Sequence, residues 1–258
     1  MTVALLYHDI VPQRDADGVG FPGPLAARYK LQPDEFQAHL DAIGGTGYRV
    51  GLIDGDSRPP VALTFDDGGS RSLSTADALE ERDWRGHFFV TTGRLDTPGF
   101  LTREAVGELV RRGHVVGSHS HSHPTYMARL SLQEIELEWR RSWDALAETL
   151  GAEPTHASVP GGYLSTAVVE IAAQVGYRVL MTSEPVSEVK RVGELNVVGR
   201  YPIWSTTRPL TAAAYAQGSR RARVRLAVAW KLKRIAKTVS PAGYDALRSL
   251  GAWSERRR

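Results

Sequence analysis

The sequence predicts an α/β fold built on a parallel sheet, and three observations carry that prediction. Short apolar runs rich in strand-forming residues alternate along the chain with stretches of helical periodicity. Polar, glycine-rich clusters recur just after the apolar runs, where barrel and open-sheet proteins build their sites. The 258 residues suffice for a substantial core, and 42% of them are hydrophobic.

Val3 to Tyr7 reads as the first strand and ends at His8. A long Gly/Pro/Asp-rich loop follows, containing Gly20-Phe21-Pro22-Gly23-Pro24, and its length favours a functional loop. Asp34 opens a helix with apolar positions Phe36, Leu40 and Ile43, stopped by Gly44-Gly45. Tyr48 to Ile53 reads as a short strand, and Pro59-Pro60 introduces the next, which ends in Asp66-Asp67. Ala76 to Arg82 is helical and Gly86 to Val90 a strand. Thr102 caps a helix that runs to Arg112 and stops at Gly113. His114 to Gly117 is a strand leading into Ser118-His119-Ser120-His121-Ser122-His123-Pro124. Ser131 and Glu134 form a capping box for a helix to about Leu150. Ala157 to Val159, Arg178 to Met181 and Asn196 to Val198 complete the strands, with a helix from Thr166 to Val175.

Composition excludes several chemistries. The chain has no cysteine, so disulfides, thiolate ligands and a cysteine nucleophile are all absent. Its opening residues lack a basic leader region and read as a strand, and no stretch approaches the roughly 20 apolar residues a membrane span requires. The expectation is a cytoplasmic protein. The net charge of +3 is uneven: from Ser219 onward twelve Lys/Arg face two acidic residues, leaving the first 218 residues at about −7. The positive charge is a property of the tail. Ser219 to Val239 reads as one helix with an apolar stripe of Val224, Val228, Leu232, Ile235 and Val239. Arg220, Arg223, Arg234 and Lys237 lie largely off that stripe, and Trp230 adds an amphipathic anchor. The preferred reading packs this helix on the core with its basic face solvated. The alternative is peripheral contact with the inner membrane face or with a partner that handles lipid-linked sugars. No nucleic-acid motif appears.

Val61-Ala62-Leu63-Thr64-Phe65-Asp66-Asp67-Gly68-Gly69 concentrates the chemistry. Two adjacent carboxylates at a strand's mouth have no packing role, and their side chains diverge, so one can bind a metal while the other faces a substrate. His119 and His123 also follow a strand, four residues apart. Two imidazoles and one carboxylate, Asp67, make a metal site with open positions, as a catalytic centre requires. His121 points elsewhere. Asp66 is then placed as a base for water, and His8 is a candidate acid.

Thr64-Phe65-Asp66-Asp67-Gly68 and the His119-Ser120-Ser122-His123 cluster resemble the first two motifs of the NodB-type polysaccharide deacetylases, carbohydrate esterase family four. The resemblance spans about residues 1–205, with residues 206–258 as a basic helical extension. It implies a deformed (β/α)7 barrel and a divalent metal, zinc above others, held by Asp67, His119 and His123, with Asp66 as base. It implies a hydrolase that removes N-acetyl groups from an N-acetylhexosamine in a glycan or sugar–lipid conjugate. The rivals are a non-catalytic sugar-binding relic, an O-acetyl esterase and another amidohydrolase.

The chain departs from the family pattern in three ways. The third motif lacks its arginine: the run is Ser158-Val159-Pro160-Gly161-Gly162-Tyr163. Arg200 is read first as a surface arginine and alternatively as a stand-in. The backbone of Pro160, Gly161, Gly162 and Tyr163 remains a candidate oxyanion cradle. The Asp-x-x-Asp-Trp motif is replaced by Thr182-Ser183-Glu184-Pro185, and no histidine follows His156. However, Leu5-Leu6-Tyr7-His8-Asp9 resembles the start of a circularly permuted branch that includes poly-N-acetylglucosamine deacetylases, where an N-terminal Tyr-His supplies the acid. Asp9 is expected to orient His8, bind sugar, or act only in the turn.

Overall fold

The computed structural model describes residues 2–54, 59–162, 164–224, 226, 227 and 230. Its strands are β1 (Val3–Tyr7), β2 (Val61–Phe65), β3 (His87–Val90), β4 (Val115–Ser118), β5 (His156–Ser158), β6 (Val179–Met181), β7 (Val189–Val192), β8 (Leu195–Val198) and β9 (Arg200–Pro202). The helices are α1 (Pro24–Ala27), α2 (Pro33–Gly44), α3 (Ser72–Glu80), α4 (Arg103–Arg111), α5 (Leu132–Leu150), α6 (Thr166–Val175) and α7 (Pro209–Ala216).

The strands join in the order β7-β8-β6-β5-β4-β3-β2-β1-β9, and every pairing is parallel except β7 with β8. One residue, Gly199, separates β8, which pairs with β6, from β9, which pairs with β1. Consecutive Cα atoms are only about 3.8 Å apart. The two sides of the sheet must therefore curl until they meet. β8 and β9 act as one bent stave whose lower part pairs with β6 and whose upper part pairs with β1. Counted this way the barrel has seven staves, with the β7 hairpin strand added outside.

Side-chain parity divides the two layers. Val3, Leu5 and Tyr7 of β1 and Val61, Leu63 and Phe65 of β2 join the core beneath the helices. The intervening Ala4 and Ala62 face inward with Phe89, Val179, Met181 and Val198. Ala4 lies opposite Arg200 in the β1–β9 register. Gly117 is required in β4, because a Cβ there would come within 2.8 Å of the Phe89 ring and 2.6 Å of the His156 carbonyl.

The expected strand over Tyr48 to Ile53 does not form. Only Val50 makes a single bridge, to Val61. The two buried apolar residues, Val50 and Ile53, are three apart, which a strand would send to opposite faces. The segment instead turns into the barrel floor. There the Ile53 N–H donates to His87 Nε2 (3.0 Å), and its carbonyl accepts from His156 Nε2 (2.7 Å). Strands β7 and β9 and helix α7 are additions to the sequence reading.

The helical caps at Thr102 and Ser131 form as expected. Ala212, Tyr215, Ala216 and Leu226 join the main core, so the start of the C-terminal extension packs on the barrel. Arg223 donates to the Tyr201 hydroxyl (2.8 Å) and to Ser187 Oγ (2.6 Å). Val228, Leu232, Arg234, Ile235, Lys237 and Val239 lie outside the described residues. No helix among the described residues is long and apolar enough to cross a membrane.

Candidate metal centre and active site

The barrel brings the predicted chemistry to one mouth, at the carboxyl ends of its strands. His8 follows β1, Asp66 and Asp67 follow β2, and His119 follows β4, while Ser158 ends β5. Thr64 and Asp66 share the inward parity of Ala62, which explains why the Asp66 side chain enters the barrel. Asp67 takes the left-handed conformation (φ 77°), as do Ser120 (φ 62°) and His123 (φ 62°). Residues with a Cβ adopt this backbone uncommonly, and it clusters at functional sites. Gly68 (φ 79°) follows Asp67, and a Cβ on it would press within 3.0 Å of Val90.

Asp67, His119 and His123 offer ligand atoms that all lie within 4.8 Å of one another. Asp67 Oδ1 lies 3.5 Å from His119 Nε2 and 3.4 Å from His123 Nε2. It is buried and makes no well-formed hydrogen bond among the described residues. The His119 Nδ1–H donates to the Ser158 carbonyl (3.1 Å), which turns the Nε2 lone pair toward Asp67. A carboxylate and two imidazoles with an orphaned oxygen between them fit a divalent cation. His121 points away, its ring nitrogen against Thr92 Oγ1 (3.2 Å). Glu138 fastens the histidine loop by accepting from the backbone N–H groups of His121 (3.0 Å) and Ser122 (2.8 Å) and from Ser122 Oγ (2.6 Å).

Arg200 is not at the surface. It is 0% exposed and reaches across the barrel from β9. Nη1 donates to Asp66 Oδ1 (2.7 Å) and Nη2 to Asp66 Oδ2 (2.8 Å), a two-pronged pairing with the carboxylate. The same guanidinium contacts Thr64 Oγ1, Ser158 Oγ and the Thr182 carbonyl, and lies 5.6 Å over the Phe89 ring. Ser158 Oγ adds hydrogen bonds to both Asp66 oxygens (3.2 and 3.1 Å). Neither Ser158 nor Glu138 was singled out for these contacts from sequence, since a lone serine or glutamate gives no local signal.

These contacts set the charge states. Burial pushes the Asp66 carboxyl up, but Arg200 and the nearby His119 outweigh it and hold the group below the ordinary range. Burial also opposes ionisation of Asp67, yet contact with His123 and the proximity of the His8, His123 and His119 imidazoles hold it low. His119 is pushed down to about 4, first by burial, so its imidazole is neutral and able to ligate. Burial lowers His123 as well, but Asp67 outweighs it and the net shift is upward. His8 is lowered, first by burial, against the pull of Asp67 and Asp66.

A cavity of about 300 Å³ opens over this cluster, lined by His8, Asp66, Asp67, His119, His123 and Gly161. Phe21, Pro22, Leu25 and Tyr29 give it an apolar wall, with Tyr29 against the His8 ring at 4.6 Å between centroids. His8 Nδ1 is buried without a hydrogen-bond partner among the described residues. Asp9 does not line this cavity. It is buried between the backbones of Gly20 and Gly69, where added Cβ atoms would fall 2.0 and 1.9 Å from its carboxylate. In the expected oxyanion cradle, Pro160 has no N–H and the Gly162 N–H is bonded to the Val159 carbonyl (3.3 Å). Gly161 remains at the cavity, and Tyr163 lies outside the described residues.

Residues 54–180 match the polysaccharide deacetylase family model. An uncharacterized 30.6 kDa protein of Geobacillus stearothermophilus is 33% identical over 125 residues, 47% of this chain and 45% of that protein. The peptidoglycan-N-acetylglucosamine deacetylase PgdA of Listeria monocytogenes is 31% identical over 126 residues, 48% of this chain and 25% of its own length. The chain thus matches less than half the length of either relative. The structure of IcaB from Ammonifex degensii superposes with a TM-score of 0.66 at 23% identity, covering 84% of this chain and 97% of that one. The fold is that of the NodB-type polysaccharide deacetylases.

Proposed function

We propose that this chain, with its polysaccharide deacetylase fold, is a metal-dependent hydrolase that removes N-acetyl groups from an N-acetylhexosamine in a glycan or sugar–lipid conjugate. The observation that carries the reading is the convergence of His8, Asp66, Asp67, His119 and His123 on one cavity. The PgdA relationship supports an amino-sugar amide as the bond broken.

In this reading Asp67, His119 and His123 hold a divalent ion, with zinc the first choice for a nitrogen-rich set. Such an ion polarises an acyl oxygen and makes water more acidic. Asp66, kept ionised by Arg200, takes the proton from the attacking water. Arg200 thereby does the work of the arginine missing from the third motif. His8 protonates the departing amine, as in the permuted branch, and Gly161 offers its backbone to the developing oxyanion. The products are acetate and a free amine.

The test is acetate release from a panel of N-acetylglucosamine oligomers and lipid-linked sugars. Release that disappears with EDTA, returns with zinc and is lost in Asp66→Asn supports the reading. A chain that binds these sugars but releases no acetate is a binding relic, and preferential release from O-acetyl sugars makes it an esterase.

A further inference from the structure

Beside the reacting groups sits a buried cation with no part in the chemistry above. Lys30 is 7% exposed, and its ammonium donates to the carbonyls of Ala16 (2.5 Å), Val19 (2.5 Å) and Phe21 (2.7 Å). An ammonium has three N–H donors, so all three are committed to backbone and none is left for a substrate. Burying such a charge is costly unless its donors are met, and here one loop meets them all. The loop is pinned elsewhere too. The Gly20 N–H donates to the Gly99 carbonyl (2.7 Å), and the Gly20 backbone lies against the Asp9 carboxylate. The opposite side of that carboxylate rests on Gly69, two residues after Asp67.

What the fastened loop presents is the cavity's apolar wall. The Phe21 ring lies 4.5 Å from the His123 ring and 5.1 Å from Phe100, between centroids, and Pro22 lines the cavity beside it. We propose that Lys30 is a positioning residue for substrate: by fastening residues 16–21 it holds Phe21 and Pro22 as the apolar surface on which the C–H face of the sugar ring lies. The identity of the sugar rests on the deacetylase reading; the fastening of the loop does not.

The experiment compares the zinc-loaded parent with Lys30→Met, Phe21→Ala and the double variant, using a β-1,4-linked N-acetylglucosamine tetramer. Lys30→Met raises KM by about tenfold or more and leaves kcat within about threefold, the pattern of lost uniform binding. Phe21→Ala raises KM by a similar factor, and the double variant is no worse than the poorer single, because both changes remove one wall. Amide exchange at residues 16–21 quickens by about tenfold or more in Lys30→Met, while zinc affinity stays within about threefold. An unchanged KM in Phe21→Ala overturns the proposal even if Lys30→Met does not fold. Additive KM effects, or unaltered amide exchange in a folded Lys30→Met, overturn it as well. If the parent releases no acetate, the deacetylase reading falls, and the exchange measurement still judges the role of Lys30.

Discussion

The Arg200 guanidinium and the Asp66 carboxylate meet through two parallel hydrogen bonds of 2.7 and 2.8 Å, although 134 residues separate them. Arg200→Lys keeps the charge but loses the fork. Its kcat should fall about 10- to 100-fold. Arg200 lowers the pKa of Asp66, so weakening the pair raises it. The base works only when ionised, so the acid limb of the kcat/KM profile should move to higher pH. An acid limb that stays in place would count against Asp66 as the base.

Asp66→Asn should lower acetate release by about 10²- to 10⁴-fold, the usual contribution of a positioned base. Asp67, His119 and His123 are intact in that variant, so zinc should still bind. Calorimetric titration with zinc alongside acetate assays separates the two effects. Loss of binding and activity together would move Asp66 into the ligand set.

His123→Ala removes one of the three candidate ligands and should weaken zinc binding by well over tenfold. Dialysis against a chelator should abolish activity in the parent, with recovery on adding zinc. His121→Ala should leave zinc affinity within about threefold, because its ring faces Thr92 and not Asp67. Equal losses in the two variants would refute the assignment of ligands.

His8→Gln should lower kcat by about 10²- to 10⁴-fold and erase the alkaline limb of the pH profile. Proton donation needs the imidazolium, which glutamine cannot supply. An alkaline limb that survives the substitution would assign the acid elsewhere.

The barrel floor gives a stability test. The Ile53 N–H donates to His87 Nε2, so that nitrogen must carry no proton. Burial foremost, with His156 nearby, pushes His87 from 6.5 down to about 3. The folded state therefore resists a proton that the unfolded chain accepts. Stability from this group is complete above about pH 6.5 and is lost toward pH 3, at no more than about 1.4 kcal/mol per pH unit. Urea midpoints of metal-free protein between pH 7.5 and 5 should fall, and less steeply in His87→Gln. A pH-independent midpoint would contradict this.

Much of the mouth was legible because its residues are local and chemically unusual. Asp66-Asp67 ends an apolar run, and His119 and His123 sit within one short loop, so spacing alone sets the candidate base beside one candidate ligand and the two imidazoles beside each other. Arg200 reads as a surface residue in the sequence because nothing in residues 195–202 reveals that this stretch closes the barrel between β6 and β1 and turns its arginine inward. Its partners Thr64, Asp66 and Ser158 come from other staves. Asp9 was similarly opaque, since only the folded loop sets Gly20 and Gly69 on either side of its carboxylate. The stretch from Tyr48 to Ile53 has strand-forming residues, but its tertiary course into the barrel floor overrides that preference.

The bent stave formed by β8 and β9 has a consequence for biosynthesis. β1, which precedes β9 by about 190 residues, waits for that strand to emerge from the ribosome before its second edge is covered. Until then the guanidinium that clamps the Asp66 carboxylate is also missing. A nascent chain halted before residue 200 would contain Asp67, His119 and His123 yet lack the guanidinium that faces the Asp66 carboxylate, so that pairing forms only once the last stave of the barrel has been made.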